Sequence, residues 1–577
     1  MKPSYRLRVL SLTVACAVVV SNPAAQAASP PPVPGEHGMV VTAQHLASEV
    51  GVDVLRRGGN AVDAAVAVAY ALAVVYPAAG NLGGGGFMTV QMADGRKTFI
   101  DFREKAPLAA KADMYLDASG ALRPHASTSG QLAAGVPGTV AGLELARERY
   151  GSQPRAALVA PAIQLADAGF VLDPGDVAML HAATAVFRRD PVLAPIFLNH
   201  GRPFEAGERL VQKDLARTLE RIAAQGADGF YKGPVGAAIA ASSHAGGGII
   251  TQADLDQYRA VERAPIECDY RGLHIVSAPP PSSGGIVLCE MLNILEGYPL
   301  GRMGWHSAAA MQVQIEAMRH AYADRNNYLG DPDFVTNPLQ RLLDKGYAAK
   351  VRATIRPDRA ATAEELRPGA PQHEGTNTTH YSIVDRWGNA VAVTYTLNQW
   401  FGAGVMAAGT GVLLNDEMDD FTTKLGAPNL FGLVQGEANA IAPGKRPLSS
   451  MSPTIVTRAG RPLLVLGTPG GSRIITATLL TLINIVDYGM AVQAAVDAPR
   501  FHQQWRPEAT ELEPFALSAD TRRMLEGWGQ QFVEAEPRNH VAAILVGAPA
   551  LGAKPVGKAL YYGANDPRRG TGLALGY

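Results

Sequence analysis

Cysteine is nearly missing from this 577-residue chain, with three in all. Cys16 falls within the first 27 residues, so Cys268 and Cys289 are left to the remainder. Two thiols are too few for a disulfide framework, and they read as buried free thiols, with a single bridge as the alternative. There is no C-x-x-C and no H-E-x-x-H, so neither a redox dithiol nor a zinc site is expected. The chain also lacks the G-x-S-x-G elbow of serine hydrolases and the G-x-x-x-x-G-K-[ST] phosphate loop. An excess of either charge is absent too, since 51 basic groups face 52 acidic ones. That balance implies no nucleic-acid partner and no anionic membrane surface. No internal repeat and no Gly/Ser linker interrupts the sequence.

What is present begins with a leader. Lys2, Arg6 and Arg8 precede an apolar run from Val9 to Val20, followed by Ala25-Gln-Ala27. A basic head, a short greasy core and an Ala-x-Ala exit predict a secretory signal peptide over residues 1–27, cleaved after Ala27. The run is shorter than the ~18 or more apolar residues of a membrane span. The expected location is therefore periplasmic or secreted, with no membrane anchor after cleavage. Losing three of the 51 basic groups leaves 48 against 52 acidic.

The body of the chain mixes helices and strands. Asn60 is placed to cap a buried Ala/Val-rich helix over Ala61–Val75, with Asp63 complementing its first turn. Gly80-Asn-Leu-Gly-Gly-Gly-Gly86 lacks the strand-before, helix-after context of a nucleotide loop and reads as a site of close backbone packing. Phe87–Met92 and Lys97–Phe102 flank Ala93-Asp-Gly-Arg96, a hairpin signal. Amphipathic helices over Ala156–Ala168, Leu210–Gln225 and Ala308–Tyr328 are expected in outer layers, with a further helix at Ile286–Leu295. A short strand, Leu463–Leu466, leads through Gly467-Thr-Pro-Gly-Gly471 into a helix over Ser472–Tyr488.

The chemistry-bearing stretch is Glu374-Gly-Thr-Asn-Thr-Thr-His-Tyr-Ser382. It and Ala390–Asn398 are β-branched, alternating runs around Asp385-Arg-Trp-Gly-Asn389, which predicts a β-hairpin. A loop centred near Trp387 sets Thr378 opposite Thr396 and near Asn398. The segment Arg356–Thr376 is rich in Pro, Glu and Gly, shows little periodicity, and ends just before Thr378. A threonine hydroxyl needs a base beside it to be a nucleophile. An N-terminal threonine carries one in its own α-amino group, with a reference pKa of ~8. On the residues alone, Thr378 and Thr379 are equivalent candidates.

Five words in order resemble the gamma-glutamyltranspeptidases, which are N-terminal-nucleophile (Ntn) hydrolases. They are Asp101-Phe-Arg-Glu104, Thr378-Thr-His-Tyr-Ser382, Gly388–Asn398, Pro447-Leu-Ser-Ser-Met-Ser-Pro453 and Gly467-Thr-Pro-Gly-Gly-Ser-Arg473. The match runs from about Gly38 to the C-terminus. The resemblance implies an α+β fold, a four-layer αββα sandwich. It implies self-cleavage between Asn377 and Thr378 into a large subunit (28–377) and a small catalytic one (378–577). It selects Thr378 as nucleophile, with Thr396 orienting its hydroxyl and Gly470 and Gly471 donating to the oxyanion. Arg103, which by position alone reads as a structural strand-end charge, becomes the binder of the glutamyl α-carboxylate, joined by Ser449 and Ser450. Asn398, Glu417 and Asp420 take the α-amino group, Glu417 standing where some relatives have glutamine. The segment Lys424–Pro447 becomes a lid. Several bacterial relatives carry a lid tyrosine that bonds the asparagine matching Asn398; here the position is Phe431, which implies a lid held by ring packing alone.

The implied activity is transfer of a γ-glutamyl group from glutathione or a similar amide to water, an amino acid or a peptide amine, without cofactor. Two rivals stand beside it. One is a related acylase cleaving glutaryl-type side chains from β-lactam precursors, whose substrates lack the α-amino group that Glu417 and Asp420 suit. The other is a non-catalytic periplasmic binding protein that kept the fold, for which Thr378, Thr396 and the Gly-Gly turn have no use.

Overall fold

The computed structural model describes residues 29–366 and 378–577. The leader, residues 1–27, lies outside the described residues, as do Asn377 and the part of the Pro/Glu/Gly-rich segment beyond Leu366. Before that point the segment contains one helical turn, Ala363–Leu366.

Two seven-stranded antiparallel sheets pack face to face. In one, the order is Leu573–Gly576, Met39–Thr42, Thr379–Val384, Ala390–Thr396, Gly85–Gln91, Lys97–Phe102 and Val261–Arg263. In the other, it is Val33–Gly35, Tyr561–Asn565, Ala542–Val546, Arg461–Gly467, Thr454–Arg458, Leu273–Ser277 and Ile266–Tyr270. Strand alternation sends Met39, Val41, Ala390 and Ala392 of the first sheet against Ile455, Val465, Ala542 and Ile544 of the second. The outer faces are covered by helices. Ala61–Val75 lies on the first sheet with all its residues buried, held at its start by a capping box between Asn60 and Asp63. Gly284–Leu295 and Arg473–Val486 cover the second. This is the αββα sandwich that the motifs imply.

Several expectations are corrected. Cys268 and Cys289 are not free thiols; they form a disulfide, with Cα atoms 6.0 Å apart. The reason is placement, since the edge strand Ile266–Tyr270 runs directly under the helix Gly284–Leu295. The helix Ala308–Tyr328 has the expected bounds but is not an outer element. Both its apolar residues and its polar ones, among them Gln312, Glu316, Arg319 and Arg325, are buried. The helix expected from Leu210 starts at Lys213, because Arg209–Leu210 pairs as a short strand with Phe170–Val171. The Gly-rich loop behaves as expected. A Cβ on Gly83 would lie 2.0 Å from Leu413 O, and one on Gly84 2.0 Å from Thr396 O.

Both sheets contain strands from before and after the undescribed segment, paired directly with one another. Thr379–Val384 pairs with Met39–Thr42, and Ala390–Thr396 pairs with Gly85–Gln91. In the other sheet Thr454–Arg458 pairs with Leu273–Ser277, and Val33–Gly35 with Tyr561–Asn565. Each ladder satisfies buried backbone donors and acceptors that would otherwise go unpaired. A chain cut anywhere between Leu366 and Thr378 is therefore expected to elute as one species on native gel filtration and to separate only in denaturant. Two native peaks would show that the ladders do not hold the pieces together.

Candidate active site

The hairpin pairs Thr379 with Tyr395 and His380 with Thr394, so Thr378, one residue before the strand, comes opposite Thr396. Thr396 Oγ1 donates to Thr378 Oγ1 at 3.4 Å. The same Thr396 oxygen accepts from the Asn398 N–H at 2.9 Å, which orients it as a donor toward Thr378. Asn398 reaches that position with φ +75°, a left-handed conformation that asparagine tolerates better than most residues. Asn81, in the Gly-rich loop, donates to the Thr396 carbonyl at 2.9 Å and accepts from Gly84 N–H. The loop thus fixes the backbone of Thr396 from the neighbouring strand.

Arg103 directly follows the strand Lys97–Phe102 and is fully buried. Its guanidinium donates to Glu417 and Asp420, and Nε donates to Pro447 O at 3.2 Å. Glu104 stands 3.6 Å from Nη1 as a third acid. Burial works against the arginine's charge, but the three carboxylates outweigh it and hold the group protonated. Burial pushes Glu104 up to about 7 and raises Glu417 and Asp420, Arg103 opposing the rise in each. Glu417 and Asp420 occupy a single 3₁₀ turn, Glu417–Asp420. That turn is held by Asn415 Oδ1 accepting from Glu417 N–H and by Gln435 and Asn439 donating to Asp420 O.

Ser449 and Ser450 line the same cavity as this turn. Ser449 O accepts from both the N–H and the hydroxyl of Ser283, at 2.8 and 2.7 Å. Ser450 Oγ accepts from Arg325 Nη2 at 3.0 Å. Gly470 and Gly471 follow the strand Arg461–Gly467 with φ of +133° and +57°. Among the described residues, neither of their N–H groups meets a hydrogen-bond acceptor. Gly470 packs its backbone on Asn539, whose amide donates to Pro469 O at 2.6 Å. Gly471 has the ring of Phe431 over it, close enough that a Cβ would lie 2.3 Å from a ring carbon. Phe431 is buried, and its own backbone is pinned by Asn429 and Gln504.

A small cavity of about 20 Å³ has Thr378, Thr396, Asn398, Arg103, Glu417, Asp420, Ser449, Ser450, Phe431 and Gly471 on its walls. Of the expected site residues with described positions, Gly470 alone sits just behind the wall. Arg325, Ser283, Gln435, Asn439 and Asn539 did not emerge from the sequence. Nothing in local pattern marks a polar residue on a buried helix or loop as facing a site over a hundred residues away. Among the described residues no group of three or more His, Cys, Asp or Glu could hold a metal ion, and no helix is long and apolar enough to cross a membrane. The cavity joins a hydroxyl nucleophile, free backbone N–H donors and paired opposite charges. Such a set suits acyl transfer from a substrate with a zwitterionic end.

A family model described as Gamma-glutamyltranspeptidase matches residues 47–576. A "Glutathione hydrolase proenzyme" from Pseudomonas sp. (strain A14) is 68% identical over 575 residues, covering 100% of this chain and 99% of the relative. The protein of the same description from Escherichia coli (strain K12) is 47% identical over 594 residues, covering both chains in full. Among solved structures, cephalosporin acylase from Bacillus halodurans aligns with TM-score 0.82 at 28% identity, over 97% of this chain and 99% of that one.

The contact between Phe431 and Gly471 can be tested by crowding it. Gly471→Ala adds a methyl group into the ring and forces a non-glycine residue into the left-handed region, a combined cost of about 2–5 kcal/mol. Phe431→Ala in the same chain is expected to return part of that loss in denaturant unfolding. Strictly additive losses in the double variant would mean that the ring does not press on Gly471.

Proposed function

The chain belongs to the gamma-glutamyltranspeptidase family, and from that premise we propose how its residues divide the work. It is an enzyme of γ-glutamyl transfer and hydrolysis, a processed precursor of a large and a small subunit. In our reading the cut falls between Asn377 and Thr378, giving subunits 28–377 and 378–577. The observation that carries this reading is the Thr396 hydroxyl donating to Thr378 inside the cavity that also holds Arg103, Glu417 and Asp420.

Freed as an N-terminus, Thr378 would use its own α-amine as base. The hydroxyl oxygen attacks the γ-carbonyl, and its proton passes through the amine to the departing nitrogen. Thr396, donating to the oxygen rather than accepting from it, leaves that proton free to go. The tetrahedral oxyanion meets the N–H groups of Gly470 and Gly471, and its collapse leaves a γ-glutamyl ester on Thr378. Water or an amine then attacks that ester by the reverse proton route.

The donor's amino-acid end is read by exchange of partners. Glu417 and Asp420, with Asn398, turn to the α-ammonium, and Arg103 with Ser449 and Ser450 takes the α-carboxylate. A guanidinium fork matches a planar carboxylate, where lysine would offer only a point charge. This pairing favours γ-glutamyl over glutaryl substrates, although the fold is shared with a cephalosporin acylase. Glutathione and other γ-glutamyl amides serve as donors, and water, amino acids or peptides as acceptors. The leader assigns the enzyme to the periplasm or exterior, where the Cys268–Cys289 disulfide would persist.

Two experiments test the reading. Thr378→Ala is expected to remain a single uncut, inactive chain, while wild type yields a small subunit whose N-terminal sequence starts at Thr378. Cleavage of the variant at the same bond would end the self-processing claim. For the lid, Phe431→Tyr adds a hydroxyl able to make one hydrogen bond of ~0.5–1.5 kcal/mol, shifting closure roughly two- to tenfold. The ratio of transfer to hydrolysis with a dipeptide acceptor is expected to move accordingly. An unchanged ratio and an unchanged donor KM would refute a lid held by ring packing alone.

A further inference from the structure

Among the described residues, Arg325 is a cation of the cavity with no carboxylate in ion-pairing distance. It projects from the helix Ala308–Tyr328, is 1% exposed, and stands on the cavity wall with Thr378 and Arg103. All the acceptors around it are neutral. Nε donates to Ser283 Oγ at 2.9 Å and Nη2 to Ser450 Oγ at 3.0 Å. Nη1 is shared between Asn326 Oδ1 at 2.8 Å and Gln435 Oε1 at 3.2 Å. Among the described residues no carboxylate comes within ion-pairing distance of it, whereas Arg103 has three. Burial pulls its pKa down to about 10, with a smaller push from Arg103, while Tyr322 and Asp420 act in the opposite sense, so it stays charged at neutral pH. A buried charge without a counter-ion is costly, and it persists where something else is stabilised by it.

Its hydrogen bonds show what that is. Ser450 Oγ accepts from Arg325, which leaves the Ser450 proton to be donated elsewhere, and among the described residues no acceptor takes it. Ser283 accepts from Arg325 and passes its own proton to Ser449 O. Gln435 accepts from Arg325 while its amide donates to Asp420 O. One guanidinium thereby sets the hydroxyl of Ser450, the backbone of Ser449 and, through Gln435, the acidic turn.

We infer that Arg325 is a positioning residue for the donor's α-carboxylate. It turns the Ser450 hydroxyl into a donor aimed at that group and adds a second positive charge beside that of Arg103. The specificity it confers is for a charged α-carboxylate over a neutral α-amide. This rests on the assignment of Arg103, Ser449 and Ser450 to the α-carboxylate made above.

The test compares a γ-glutamyl anilide with its α-amide in wild type, Arg325→Met, Arg325→Lys and Ser450→Ala, each first checked for subunit cleavage on a denaturing gel. A hydrogen-bonded buried charge is worth roughly ten- to a hundredfold in binding. Arg325→Met is expected to raise KM for the anilide by about that factor with kcat held within about threefold. It should leave the α-amide nearly unaffected, so that the preference for the charged donor collapses. Arg325→Lys should recover part of the preference, and Ser450→Ala should lose part of it. An unchanged preference in Arg325→Met, or equal losses on both donors, overturns the inference. If Arg325→Met fails to mature, Arg325→Lys and Ser450→Ala decide, and an unaltered preference in both overturns it. Arg103→Ala serves as the reference for the assignment beneath it. If that variant keeps the wild-type KM, the assignment itself fails; if it loses affinity and the Arg325 variants do not, only the role of Arg325 fails.

Discussion

The hairpin register is the constraint on which the rest depends. Strand side chains alternate with period two, so a slip of one residue would carry Thr378 away from Thr396 and turn His380 and Ser382 toward the helices. The register is held from both sides. Tyr381 and Tyr395 point the other way and donate to the carbonyls of Ala65 and Ala69 on the buried helix. His380 and Ser382 bond to each other between the sheets, and Ser382 donates onward to Ala542 O. Asp385 closes the turn by accepting from Trp387, Asn389 and the start of the helix at Ala61. Turning the strand over would break all of these bonds together.

A second constraint is charge. The cavity brings two arginines and two acids of one turn into a space where none is well hydrated. Arg103 pairs with Glu417 and Asp420, the internal equivalent of the zwitterion the site is proposed to bind. A substrate carrying both an ammonium and a carboxylate can replace those bonds without leaving any charge unpaired. A substrate with only one of the two cannot, and a buried unpaired charge costs several kcal/mol. On the proposed assignment, selectivity for the free amino-acid end would follow from the ion pairs of Arg103 with Glu417 and Asp420 as much as from contacts with the ligand.

Much of this was legible in the sequence, and the parts that were not share a cause. Local rules sufficed for the Asn60-capped helix, for both hairpins and for the Gly-rich loop whose glycines pack on backbone, because turn residues and periodicity are written in consecutive positions. The Thr378–Thr396 pairing was also legible, since a tight turn fixes register over short separations. The polar residues of the helix Ala308–Tyr328 spell an exposed face in sequence, which predicts an outer layer. In the structure those residues are buried and bonded to partners far along the chain, such as Arg319 to Gln530 and Arg325 to Ser450. The disulfide stands only as the second alternative for the same reason, since two cysteines 21 residues apart do not choose between free thiols and a bridge until strand and helix are stacked. Residues supporting a site from behind are fixed by tertiary contact, and a single sequence carries no local signal for them.

The position of the proposed cut has its own logic in the sheet. Thr379 is the first described residue of its strand to enter the ladder, so a break before Thr378 leaves every described ladder pair of that strand in place. The strand it releases lies between Met39–Thr42 and Ala390–Thr396, bonded on both edges. A new chain end at that point inherits a fixed position from its neighbours rather than from the peptide bond it has lost. Thr378 can then gain an amine and keep its hydroxyl within reach of Thr396. A cut two residues later would free an end that had to leave the ladder first, and a cut several residues earlier would place the amine too far from the hydroxyl it must deprotonate.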